Sequence, residues 1–338
     1  ERTEAPPATG MAAYQIEDEI ASGGGGTVYR ARSAATGEEV ALKVLHRSTT
    51  SEPRSRRRFK RECRAAQQLE HENIVGVFDF GEEDGKCYLA MELVDGIPLD
   101  RFAMEERLRV EEIVEAMITV CEAVDYAHSQ GVIHRDLKPA NILVDYEGVP
   151  RILDFGLAKF ADSVSGSGSR SLLTQEGDFL GTLAYMSPEQ AAGQVTEIDR
   201  RSDVYALGVI LFQLVTRRLP FEMRGNNFYI LDQIRKEAPA RPSEYFSQID
   251  ATLEGIILKC LSKSKEERYT SAGGLAGALR NWLASGPKTE AVRGPRRPPR
   301  KMAVAVVLGV CLVAGGLAIR HVVTSDGTEE GPGSRQTG

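Results

Sequence analysis

Cysteine is scarce and unpatterned: Cys63, Cys87, Cys121, Cys260 and Cys311 are odd in number, and no two stand at CxxC spacing. That excludes a disulfide framework or a cysteine zinc site and points to a reducing compartment, where each thiol fills apolar space. A surplus of positive charge is also missing. The formal net charge is −6, so the whole-chain balance gives no reason to expect nucleic acid as a partner. No internal repeat recurs. The opening residues, Glu1-Arg2-Thr3-Glu4-Ala5-Pro6-Pro7, are polar and proline-bearing, unlike the apolar stretch of a secretory signal. The missing initial methionine is read as a fragment or a processed start. Residues 1–13 are expected to be a disordered lead-in.

What is present is enough apolar material for a large core, 42% of residues, and one stretch of concentrated chemistry. In Val132-Ile133-His134-Arg135-Asp136-Leu137-Lys138-Pro139-Ala140-Asn141-Ile142-Leu143-Val144, two β-branched runs enclose a carboxylate, an amide and two cations. A third apolar run, Arg151-Ile152-Leu153, then ends on Asp154-Phe155-Gly156. One carboxylate can orient a hydroxyl, while the amide and the second carboxylate hold hard cations through oxygen, a set suited to phosphoryl transfer. Together these pieces resemble the catalytic loop and metal-binding triplet of protein kinases. The Leu137-Lys138-Pro139-x-Asn141 form is typical of the Ser/Thr-specific branch.

The resemblance extends in both directions. Ile20-Ala21-Ser22-Gly23-Gly24-Gly25-Gly26-Thr27-Val28 is similar to the glycine-rich loop over the nucleotide phosphates, where bare backbone N–H groups approach closely. Ala21 stands where the first glycine of that loop is usual, and the added Gly24 and Gly25 should loosen it. Val40-Ala41-Leu42-Lys43 resembles the strand whose lysine holds the α- and β-phosphates. Its implied partner is Glu62, on a helix burying Phe59, Cys63 and Ala66. Arg54, Arg56, Arg57 and Arg58 read as a solvated helix entry, and His71 as structural. By resemblance Met91 flanks the adenine, and Glu92 and Val94 offer it backbone groups. Ile20, Gly23, Gly26, Val28, Ala41 and Leu143 complete the nucleotide site.

After the crossover marked by Gly96 and Pro98, apolar residues at Val110, Ile113, Val114, Met117, Cys121 and Val124 predict a long amphipathic helix. Residues 162–177, rich in serine and glycine, occupy the place of the activation segment. Thr174 is its expected autophosphorylation site, and Arg135 the residue to pair with a phosphate there. Gly181-Thr182-Leu183-Ala184-Tyr185-Met186-Ser187-Pro188-Glu189 matches the substrate-docking end, with Ser187 in place of the usual alanine. The resemblance implies that Thr182 bonds Asp136 and Lys138, that Glu189 pairs with Arg268, and that Asp203 braces the catalytic loop at the start of an apolar helix.

Residues 285–301 form a basic linker rich in proline and glycine. The uncharged run Met302 to Ile319, roughly 27 Å long as a helix, is expected to cross a membrane once, with its cationic flank on the cytoplasmic side. That places the chain at the cell (plasma or inner) membrane. A short polar tail, 320–338, follows.

The expected architecture is α+β and two-lobed: a β-rich N-lobe over 14–91, a hinge over 92–97 and a mainly helical C-lobe over 98–284. The implied activity moves the γ-phosphoryl of ATP, with Mg2+ or Mn2+ on Asn141 and Asp154, to Ser or Thr hydroxyls of proteins. Asp136 serves as base; Lys138 and Lys43 supply positive charge. A pseudokinase that binds nucleotide without turnover is the alternative, resting on Ala21 and the glycine run. A small-molecule phosphotransferase would not be expected to carry Arg135, the 181–189 segment or Arg268. Lys138 and Thr182 disfavour tyrosine specificity. Bacterial receptor-type Ser/Thr kinases share this organisation, which implies a homodimer through the smaller lobe.

Overall fold

The computed structural model describes residues 10–23, 26–46, 53–155 and 178–286. Gly24, Gly25, Gly156, Thr174 and its neighbouring serines, the linker from residue 287, the expected span 302–319 and the tail lie outside them. Among the described residues no helix is long and apolar enough to cross a membrane.

The first lobe is a five-stranded antiparallel sheet in the order β1-β2-β3-β5-β4. Its strands are β1 (Tyr14–Gly23), β2 (Gly26–Ser33), β3 (Glu39–Leu45), β4 (Val77–Glu83) and β5 (Lys86–Glu92). Side chains alternate across a strand, which sorts this lobe into two apolar layers. Ala41, Leu45, Cys87, Leu89 and Met91 pack with Phe59 and Cys63 of helix α1 (Pro53–Ala66). Val40, Leu42, Tyr88 and Ala90 form the opposite layer with Ala31. Lys43 has the same parity as Ala41 and Leu45, so the alternation sends it to the α1 side, toward the second lobe. Gly26 cannot carry a side chain, because a Cβ there would lie 2.4 Å from the carbonyl oxygen of Val44. Arg56 and Lys60 of α1 reach Glu82 at 3.1 and 3.3 Å. The lead-in is ordered at its end: Gly10–Ala13 form a 3-10 turn, and the Met11 N–H donates to Glu83 at 2.5 Å.

The second lobe is built on helices α2 (Leu99–Glu105), α3 (Val110–Ser129), α4 (Asp178–Leu183), α5 (Pro188–Ala191), α6 (Arg200–Thr216), α7 (Asn227–Lys236), α8 (Pro242–Tyr245), α9 (Ala251–Cys260) and α10 (Ala272–Ala284). The periodic run expected as an amphipathic helix is α3, which buries Ile113, Val114, Met117, Cys121 and Val124. Helix α6 is buried on nearly every face, as expected of a helix that other helices surround. It starts at Arg200 rather than Asp203, because the Asp199 carboxylate caps it by accepting the Arg201 N–H. A second sheet, β6 (Gly96–Pro98), β7 (Ile142–Asp145) and β8 (Pro150–Ile152), presents the loops that carry the candidate chemistry.

The segment before β4 clips the first lobe to β8. The Val75 N–H donates to the Ile152 carbonyl at 2.9 Å, and the Ile152 N–H donates to that of Asn73 at 2.8 Å. The Asn73 side chain adds a bond to the Pro150 carbonyl at 2.9 Å. His71 is structural, accepting the Asn73 N–H at its Nδ1 and packing on Tyr126.

Candidate active site

Two non-glycine residues at the lobe junction have left-handed backbone, Arg135 (φ 70°) and Asp154 (φ 59°). Such angles cost roughly 1–3 kcal/mol each and persist only where neighbours impose them. Asp203, 1% exposed, supplies much of that restraint. Its Oδ2 accepts the His134 N–H and its Oδ1 the Arg135 N–H, both at 2.8 Å, while His128 Nε2 donates to Oδ2 at 2.7 Å. Burial alone would raise the Asp203 carboxyl. The His128 hydrogen bond and charge, with the Arg135 amide, hold it below the usual range instead.

His134 fixes the other side of the loop. It is fully buried, and its ring meets Phe155 edge-on at 4.8 Å. Its Nδ1 accepts the Asp136 N–H at 3.3 Å, so its Nε2 is the donor to the Leu153 carbonyl, at 2.8 Å. That tautomer joins the Asp136 loop to the strand that ends at Asp154.

Asp136, Lys138, Asn141 and Thr182 converge. Lys138 Nζ lies 3.0 Å from Asp136 Oδ2 and donates to Thr182 Oγ1 at 2.9 Å. The Asn141 amide donates to the Asp136 carbonyl at 2.7 Å and to Oδ2 at 3.2 Å. Across the cleft Lys43 Nζ donates to Asp154 Oδ2 at 2.5 Å. The resemblance implies Glu62 as the lysine's partner; the bond the structure gives Lys43 is to Asp154. Glu62, 9% exposed on α1, acts electrostatically on Arg135. Burial lowers the Arg135 guanidinium; Glu62 and Asp203 oppose that shift, and Arg58 and Arg61 add to it. The choice between the two carboxylates depends on how α1 sits on the sheet, which local sequence does not encode.

Asp154 is the best oxygen donor on the second-lobe side. Burial would raise its carboxyl, but the Lys43 charge and hydrogen bond, then the Lys138 charge, hold it below the usual range. Its Oδ1 is buried and has no hydrogen-bond partner, a costly state for a carboxylate unless a cation meets it. With the Asn141 amide nearby, the donors are hard oxygens that fit magnesium. No three His, Cys, Asp or Glu side chains among the described residues cluster as a metal site. A divalent ion would therefore take further ligands from phosphate and water.

The residues assigned to the nucleotide divide between the lobes. Val28, Ala41, Met91 and Val94 share one apolar cluster of the first lobe. Gly23 and Gly26 face each other at the β1–β2 turn, Ile20 is largely exposed on β1, and Leu143 rises from β7. The Glu92 side chain pairs with Arg151, which leaves only its backbone for a base.

Beyond the cleft, Glu189 and Arg268 form the expected buried pair. Two parallel bonds of 2.8 and 2.9 Å join them, and the Ser202 hydroxyl donates to Glu189 at 2.7 Å. His128, His134 and Gln190 were not singled out by sequence reading. The only local signal was the position of His134 beside Arg135 and Asp136. We expect Asp203→Ala to cost roughly 2–3 kcal/mol, since it strands the buried His134 N–H and the partly buried Arg135 N–H. Urea unfolding checks this, and an unchanged midpoint would show that the loop does not depend on Asp203.

Comparison with protein families matches residues 14–279 to the protein kinase domain. The serine/threonine-protein kinase Pkn1 of Myxococcus xanthus is 38% identical over 299 residues, 87% of this chain and 41% of that protein. PrkC of Bacillus subtilis is 35% identical over 260 residues, 77% of this chain and 39% of that protein. The chain thus spans about two-fifths of the length of these relatives. Among solved structures, the PknI kinase domain of Mycobacterium tuberculosis superposes with a TM-score of 0.64 at 27% identity, over 81% of this chain and 96% of that one. With residues 14–279 matched by the protein kinase domain and relatives of 35–38% identity over more than three-quarters of its length, the chain belongs to the protein kinase family, among the bacterial serine/threonine kinases.

Proposed function

We propose that this chain transfers the γ-phosphoryl of ATP to serine or threonine hydroxyls of proteins. The observation that carries the reading is the convergence of Asp136, Lys138, Asn141 and Asp154 beneath the lysine of β3. Asp136 Oδ2, 3.0 Å from Lys138 Nζ, accepts the hydroxyl proton of the acceptor. Lys138 and Lys43 balance negative charge on the transferring group and the phosphates. Asp154 and Asn141 would hold magnesium, which when bound would neutralise phosphate charge. Thr182, bonded to Lys138, connects the docking segment to this centre and favours an aliphatic hydroxyl.

Three finer assignments belong to the same proposal. The chain phosphorylates its own segment at Thr174, with Arg135 as the partner of the phosphate. It is anchored through Met302–Ile319 with the catalytic lobes in the cytoplasm, a reading supported by the uncharged run and its cationic flank. It also pairs with a second copy through the smaller lobe. The test is incubation of the full chain with Mg-ATP, followed by phosphosite mapping. Phosphate on serine or threonine is expected, Thr174 included. A chain that binds ATP yet phosphorylates neither itself nor a basic protein mixture would be a pseudokinase.

A further inference from the structure

We propose that Gln190, locked by Ser187, is a positioning residue that ties the substrate-docking segment to the peptide joining Arg135 to the catalytic Asp136. The proposal rests on the kinase reading and adds to it a residue whose role the catalytic motifs leave open.

The Gln190 side chain spans two backbones. Its Nε2 donates to the Arg135 carbonyl at 2.7 Å. Its Oε1 accepts the Ser187 N–H and the Ser187 hydroxyl, each at 3.0 Å. The amide orientation follows from its neighbours: a backbone N–H can only donate and a carbonyl can only accept, so Oε1 must face Ser187 and Nε2 must face Arg135. Ser187 is fully buried and stands where alanine is usual. Its hydroxyl gives the amide oxygen a second donor and so holds the rotamer.

The restrained peptide is the one that matters most for the base. Arg135 is left-handed, and Asp203 grips its N–H from one side while Gln190 holds its carbonyl from the other. The next N–H is that of Asp136, bound by His134. Gln190 comes from helix α5, directly after the docking residues 181–189. A shift of that segment therefore reaches the Asp136 carboxylate through one side chain.

Glutamate and methionine at position 190 separate the possibilities. Gln190→Glu keeps both bonds from Ser187 but sets a carboxylate oxygen against the Arg135 carbonyl. Gln190→Met keeps the bulk and loses donor and acceptor. In the full chain, either variant should lower kcat for a protein substrate about tenfold, the rate equivalent of one hydrogen bond, with the ATP KM unchanged. Ser187→Ala should cost about two- to threefold, and adding it to Gln190→Met should cost nothing more, because the two act as one unit. Amide hydrogen exchange at Asp136 should quicken in Gln190→Met, a readout that needs no turnover. Wild-type kcat and unchanged exchange in both variants would overturn the proposal. So would a loss of kcat matched by a rise in ATP KM and a fall in melting temperature, which marks a purely structural role. An inactive wild type would refute the kinase reading alone, and the exchange measurement would still decide this one.

Discussion

Asp136→Asn is expected to leave a folded protein that transfers phosphate about 10³-fold more slowly, within the range of a lost general base. The substitution exchanges one oxygen for an NH2 group and changes little of the structure. The backbone carbonyl of Asp136 still accepts the Asn141 amide, and its N–H still reaches His134. What disappears is the anion beside Lys138. An amide cannot take the proton of an incoming hydroxyl. The ATP KM should hold, because the phosphates are met by Lys43 on the other lobe. Lys43→Met should be inactive for a different reason: it removes the cation that meets the phosphates and the one that now neutralises Asp154. Steady-state phosphorylation with melting temperature measured alongside checks both. Wild-type turnover by Asp136→Asn would remove that residue from the mechanism.

Arg268→Met should destabilise the chain by about 3–5 kcal/mol, the usual cost of breaking a buried ion pair from one side. A domain holds only about 5–15 kcal/mol in all, so this is the largest stability effect expected here. Arg268 is 2% exposed, and all its hydrogen bonds go to Glu189 and to the carbonyls of Arg201, Ser262 and Lys263. Its removal leaves Glu189 with only the Ser202 hydroxyl as a side-chain donor. The pH dependence carries the diagnosis. Burial would raise the Glu189 carboxyl, but the Arg268 hydrogen bonds and charge, then Ser202, hold it below the ordinary 4.5. In the wild type its contribution is therefore complete above pH 4.5 and is lost as the pH falls through the lowered value. In the variant, burial acts without the arginine and the carboxyl moves up. The deficit should then be full at neutral pH and shrink toward acid. Urea midpoints for both proteins between pH 7 and pH 4 test the sign. A deficit independent of pH would show that lost packing, not an orphaned charge, is responsible.

Some of this site was legible because it is written in neighbouring residues. The spacing of Asp136, Lys138 and Asn141, and the Asp154 that follows, put one base and two oxygen donors on adjoining strand ends. The three-and-four spacing of α3 fixed its buried stripe. Glu189 and Arg268 were paired by resemblance, and the structure joins them. Other features were not legible. The resemblance implies Glu62 as the partner of Lys43, and no local pattern points to Asp154, which the structure sets against it. His128 looked like any polar residue in the last turn of a helix, and Gln190 like one exposed amide among many.

The amino-acid sequence by itself determined which chemical groups are available and on which face of its element each one stands, because periodicity and motif spacing are local. The tertiary structure alone decided which of those groups meet. The position of α1 on the sheet directs Lys43 to Asp154, and the seat of α6 beneath the catalytic loop turns Asp203 onto two backbone amides. Those contacts join residues far apart in the chain, and they depend on many weak packing interactions summed over both lobes rather than on any single stretch.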